Sequence, residues 1–149
     1  MVELPDYISD ITKELFAEAY NGLSVRLQKY SESVRNALLL TDMNLSDKAL
    51  VVPAIHHGFV DCLFSERRKL KTLEDYRDEK IEDHVEKYGK SGAKRYETRV
   101  MAEQSEVIKK MDKAIESQKE VIRYLEEVCR ILSNFNFSVK NCVDMMKMM

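Results

Sequence analysis

The sequence predicts an all-α protein of long amphipathic helices whose C-terminal helix carries a heptad pattern. Three observations predict it. The chain of 149 residues holds only 4 Gly and 2 Pro, too few for the turns that many short strands require. Charged residues make up 34% and the apolar set 44%, a balance typical of long helices rather than of a dense globular core. Apolar residues recur at steps of three and four, and strand alternation fits nowhere in the C-terminal third. The length is that of one helical domain, residues 1–149, with N-terminal helices and a basic middle over 1–95 and an association helix over 96–149.

The first helix is expected to begin near Leu4–Asp6. Pro5 suits an early helical position, and Asp6 and Asp10 favour the positive helix end. Ile8, Ile11, Leu15, Ala19, Leu23, Leu27, Tyr30, Val34 and Leu38 then follow at helical steps, with Gly22 a soft point. An end near Leu40 leaves Thr41–Asn44 as the connection. Asn44 or Ser46 caps the next helix, and Pro53 makes Ala49–Val52 ambiguous because the residue before a proline is pushed towards extended geometry. From Ala54 the second helix runs through Ile55, Phe59, Cys62, Leu63, Leu70, Leu73 and Tyr76. It becomes highly charged past Arg77 and frays before the loop Tyr88-Gly89-Lys90-Ser91-Gly92.

The last segment carries the strongest pattern. Val107, Ala114, Val121, Val128 and Phe135 fall every seven residues, and Met111, Gln118, Leu125, Leu132 and Val139 form a second row three residues earlier. Ile108, Ile115, Ile122 and Cys129 widen the stripe to three positions. Such a width exceeds what one partner helix covers, which predicts a homo-oligomeric bundle or ring larger than a dimer. Met111, Val121, Leu125, Val128, Leu132, Phe135 and Val139 are its expected association residues. An intramolecular three-helix bundle stays open beside it, because residues 7–40 are also amphipathic. Asn134 and Asn136 are poor helix formers and mark an expected kink or break between Phe135 and Phe137. Met145, Met146, Met148 and Met149 are core filler at the end of the stripe, or an adaptable docking surface.

Composition also restricts function. Residues 1–20 carry acids throughout and have no apolar run, so no secretory segment is expected. No stretch approaches the ~20 apolar residues that span a bilayer. Cys62, Cys129 and Cys142 cannot all pair within one chain and read as reduced thiols of a cytoplasmic protein. Neither phosphate-cradling glycine loop occurs, which argues against an ATPase. His56, His57 and Cys62 do not make a metal site, since adjacent histidines point to different helix faces and no second ligand pair is present. No nucleophile–base arrangement suggests an enzyme, and no cofactor is implied.

The net charge of −2 conceals a basic middle: residues 67–99 hold 11 basic and 8 acidic side chains, giving +3. Arg67, Arg68, Lys69 and Lys71 place four cations within five residues. Lys87, Lys90, Lys94 and Arg95 surround Tyr88, Tyr96 and the glycine loop. Cations beside aromatic rings suit a sequence-tolerant single-strand binder, neutralising phosphates and stacking on bases. Repetition around an oligomer makes a modest patch multivalent. The other reading is a structural or adaptor coiled coil whose basic middle is only solvated.

Three runs in residues 96–149 carry a resemblance: Glu106-Val-Ile-Lys, Ile122-Arg-Tyr-Leu-Glu, and Leu132-Ser-Asn-Phe-Asn-Phe-Ser-Val-Lys-Asn-Cys-Val-Asp-Met. They resemble the C-terminal half of the UvsY family of phage recombination mediators, with Ser133, Phe137, Val139 and Lys140 in the matching places. That family's basic helix and aromatic–glycine loop have two candidate counterparts here, Lys69–Tyr76 and Lys87–Gly92. The resemblance implies a non-enzymatic, homo-oligomeric single-stranded DNA binder. Such a mediator helps load a RecA-like recombinase onto strands covered by single-strand binding protein, in the host cytoplasm if the chain is phage-encoded.

Overall fold

Low glycine and proline content and three- and four-residue apolar spacing leave the chain little alternative to helix. A computed structural model describes residues 10–38, 45–89 and 94–148, and of these the side chains at 14–19, 22–37, 47–89 and 94–148. Helix is the only regular structure among the described residues. Its elements are α1 (Asp10–Asn21), α2 (Leu23–Leu38), α3 (Leu45–Gly89), α4 (Arg95–Glu103) and α5 (Glu106–Lys147). Gly22 interrupts the first helix for one residue, while its N–H still donates to the Glu18 carbonyl at 3.0 Å. The expected start at Leu4–Asp6 and the connection Thr41–Asn44 lie outside the described residues.

Several expectations need correction. Ala49–Val52 are helical, and α3 passes through Pro53 for a total of 45 residues. A proline in a helix interior costs about 3 kcal/mol or more. Burial of Val52, Phe59 and Leu63 on the same helix offsets that loss. Of the two candidate caps, Ser46 is the second residue of α3 and so is not its cap, while Asn44 lies outside the described residues. The helix does not fray before Tyr88 but runs through Gly89, and Lys90–Ala93 lie outside the described residues. Finally, α5 runs unbroken through Asn134 and Asn136, where the Ser138 hydroxyl bonds back to the Asn134 carbonyl at 3.1 Å.

The helix read across residues 96–149 breaks instead at Gln104–Ser105. Ser105 is the N-cap of α5: its Oγ accepts the Ile108 N–H at 3.4 Å and its carbonyl accepts the Lys109 N–H at 3.0 Å. Glu106 adds an acid to the first turn.

The chain folds as two compact units, each assembled from segments distant in sequence. Unit 1 comprises Met1–Leu23 and Arg67–Glu120, and unit 2 comprises Ser24–Glu66 and Val121–Met149. In unit 1, Phe16 and Ala19 of α1 share a core with Leu73, Ile81 and Val85 of α3, Ala102 of α4, and Ile108, Met111, Ala114 and Ile115 of α5. Phe16 meets the Tyr76 ring edge-on at 5.8 Å. In unit 2, the buried apolar residues are Val52, Phe59 and Leu63 of α3 and Val121, Ile122, Leu125, Val128, Leu132 and Val139 of α5. There the Arg26 guanidinium of α2 pairs with the Glu66 carboxylate of α3, and Tyr30 Oη donates to the same carboxylate at 2.9 Å.

Most of the seven-residue stripe is thus covered within one chain. Met111, Val121, Leu125, Val128, Leu132 and Val139 are buried, while Phe135 is 36% exposed. The premise that one chain cannot bury the stripe fails up to Leu132, because the long α3 packs with α5 in unit 1 and meets it again in unit 2, where Asn136 lies 3.5 Å from His56. Beyond that point Val139 is still buried, but Phe137, Met145, Met146 and Met148 are all exposed.

Candidate nucleic-acid interface

All the expected DNA-contact residues belong to unit 1. Successive helical residues turn by about 100°, so the four cations of the first cluster divide between faces. Arg67 and Arg68 are exposed, and Lys71 is exposed with its ammonium 3.4 Å from Asp75. Lys69 is half-buried, and its ammonium reaches Glu18 of α1 at 3.7 Å. The second cluster lies about 24 Å further along α3, at a rise of 1.5 Å for each of the 16 residues between Lys71 and Lys87. Lys87 is exposed, with Nζ 5.8 Å from the Tyr88 ring centroid. Lys94 is the exposed N-cap residue of α4, and Lys90 lies outside the described residues.

Arg95 and Arg99 share one carboxylate. Arg95 donates to Glu82 Oε2 at 2.7 Å and Arg99 to Glu82 Oε1 at 2.9 Å, which fastens α4 to α3. Exposed pairs of this kind stabilise by about 0–1 kcal/mol, so a phosphate competes with Glu82 at little cost. Tyr96 is 78% exposed and Tyr88 45%, so part of each ring reaches solvent, where a base can stack.

The basic middle is therefore two basic ends with an acidic centre. Residues 67–71 carry +4 and residues 87–99 carry five cations against Glu97, again +4. Residues 72–86 hold seven acids against Arg77 and Lys80, which is −5, and +4 − 5 + 4 restores the +3 of the whole stretch. Arg77 is drawn off to Asp112 of α5, whose carboxylate holds the guanidinium more firmly charged. Sequence spacing does not reveal this inward turn, nor the Arg26–Tyr30–Glu66 cluster in unit 2. An arginine within an apolar stripe is the only available signal for the latter.

Among the described residues no group of three or more His, Cys, Asp or Glu is placed to hold a metal ion. None of their helices is long and apolar enough to cross a membrane. Cys62 and Cys129 are half-buried and Cys142 exposed, and none of the three is in a disulfide.

Exposed cations and open tyrosines on one helical unit can neutralise phosphates and stack on bases. Comparison with known families agrees with that chemistry. The family described as recombination, repair and ssDNA binding protein UvsY matches residues 39–149. The match extends well beyond the C-terminal resemblance and takes in both basic clusters. No curated protein and no solved structure matches the chain. The chain belongs to the UvsY family of recombination, repair and single-stranded DNA-binding proteins.

Proposed function

We propose that the chain is a recombination mediator acting by binding rather than catalysis. It helps load a RecA-like recombinase onto single-stranded DNA covered by single-strand binding protein. The observation that carries this reading is the pair of exposed basic clusters at either end of the unit 1 half of α3, inside the span matched to the family. Arg67, Arg68, Lys71, Lys87, Lys94 and Arg95 would contact phosphates. Such contacts position the strand without reading its bases.

Assembly into a homo-oligomer larger than a dimer belongs to the same proposal. The support for it is the open apolar end of α5, where Phe137 and Met146 are 67% and 62% exposed. Each large apolar side chain left in water forgoes about 1.5–3 kcal/mol of burial.

Salt-dependent binding to labelled single- and double-stranded oligonucleotides, run beside a solution mass measurement, tests the first step. Replacing Arg67, Arg68 and Lys71 by Ala is expected to weaken single-strand affinity alike for all sequences. It should also flatten the salt dependence by about 0.7 for each phosphate no longer neutralised. The loading step is tested by recombinase filament assembly on strands precoated with single-strand binding protein. Absence of single-strand binding in the unsubstituted chain would leave the structural or adaptor coiled coil as the reading.

A further inference from the structure

Unit 1 contains a cleft of about 300 Å³ between α3 and the junction of α4 with α5. Lys80, His84 and Lys87 line its α3 wall at i, i+4 and i+7, one above another on a single helix face. Tyr88 stands at the mouth, its ring 4.4 Å from that of His84 and nearly half exposed. The facing wall is apolar except for Ser105, with Ala102 and Ile108 its buried members.

We propose that this cleft is a one-nucleotide subsite on the path of single-stranded DNA, with Lys80 and Lys87 at the phosphodiester and the Tyr88 ring under the base. This rests on the single-strand binding proposed above and adds Lys80 and Tyr88 to it. Size and chemistry select the ligand. The volume is at the lower limit of small-molecule sites, which suits a single nucleotide unit and not an extended one. A simple anion would use the two ammonium groups but leave the aromatic mouth and the apolar wall without a role. An apolar ligand would strip water from both ammoniums and give them no counter-charge. A nucleotide satisfies both halves of the cleft.

Lys80 is already partly desolvated. Burial disfavours its ammonium and pulls its pKa down, against the opposing charge of Asp83 on the same wall. A phosphate oxygen in the cleft supplies a further negative partner to this group. The Tyr88 ring is held from one side by His84 and approached by the Lys87 ammonium, so it is oriented before any base arrives. Exposed Lys94 and Arg95 lie on the same unit and extend the cationic track past the cleft.

The test uses the full chain and a fluorescent oligothymidylate. Tyr88→Ala is expected to weaken binding by about 5- to 150-fold, the range for losing one stacked base, and Tyr88→Phe by no more than about twofold. Lys80→Gln with Lys87→Gln should lower the salt slope by about 0.7 for each phosphate released from neutralisation. Photo-crosslinking of the unsubstituted chain to iododeoxyuridine DNA should mark Tyr88, a readout independent of how any variant folds. Crosslinks confined to other residues would overturn the subsite, as would Tyr88→Ala binding as tightly as the unsubstituted chain. If the unsubstituted chain binds DNA while the cleft variants match it in affinity and slope, only the subsite is lost. If the unsubstituted chain does not bind at all, the proposed function fails with it.

Discussion

Replacing Glu66 by Ala tests the buried pair that joins α2 to α3 in unit 2. Glu66 is 2% and Arg26 8% exposed, so both charges have left water and each depends on the other. Removing the carboxylate takes the Glu66 counter-charge away from a buried guanidinium and deprives Tyr30 Oη of its 2.9 Å acceptor. Breaking a buried pair from one side costs about 3–5 kcal/mol, against a total stability of about 5–15 kcal/mol for a typical domain. At an m-value of about 2 kcal/mol/M this lowers the urea midpoint by about 2 M, measured by far-ultraviolet circular dichroism. The triple change Arg26→Met, Tyr30→Phe, Glu66→Leu removes the polar groups together and should recover most of the loss, since apolar replacement of buried pairs is often neutral or stabilising. A Glu66→Ala cost below about 1 kcal/mol would refute the argument, because water would then be reaching the guanidinium. So would a triple variant as unstable as the single one.

Other consequences are open to equally direct measurement. Phe137→Asp with Met146→Asp should leave helicity unchanged but shift the solution mass downward. Leu125→Asp, at a fully buried position, should unfold the chain itself. Ser105→Ala removes the cap of α5 and should cost about 0.5–2 kcal/mol in urea denaturation. Burial pushes the Tyr76 hydroxyl up to about 12, and burial together with the Glu66 carboxylate pushes Tyr30 up further still. Both protons are held more tightly in the folded state, so their contribution is complete below the ordinary tyrosine pKa of about 10 and is lost as pH rises above it. Ultraviolet titration should show two late phenols that become ordinary in urea.

Helix existence was legible in the sequence because apolar spacing acts locally, and the rows through Met111, Leu125 and Leu132 located the buried face of α5 correctly. What covers that face was not legible. Spacing reports that a side chain avoids water without saying whether the shelter comes from the same chain or from another copy. The same limit applies to charge. Arg26, Lys69 and Arg77 look like any surface cation in sequence, but Glu66, Glu18 and Asp112 come from 35 to 51 residues away and turn them inward. Pro53 and the Asn134–Asn136 pair misled for the opposite reason. Their local preference against helix, of the order of a few kcal/mol, is less than the burial of neighbouring apolar residues returns. At Ser105 the local signal was strong enough to prevail: a short side chain that caps, followed by an acid, ended one helix and began the next.

The acidic centre of α3 constrains how the proposed strand can lie. A backbone running along the exposed face from Lys71 to Lys87 would pass Asp75, Asp78, Glu79, Glu82, Asp83 and Glu86, which are like-charged to phosphate. The distance involved is about 24 Å, more than two Debye lengths at physiological salt, so neither cation cluster screens the middle for the other. Within one unit 1, the two clusters therefore bind phosphate separately. A single-cluster variant should then lose only about twofold in affinity on short oligonucleotides that reach one cluster only, because the other cluster still binds them. It should lose much more on longer strands, where engagement at one cluster raises the effective concentration at the next. Binding curves on a length series of oligothymidylates decide it. A loss that is the same at every length would mean the two clusters do not bind phosphate separately.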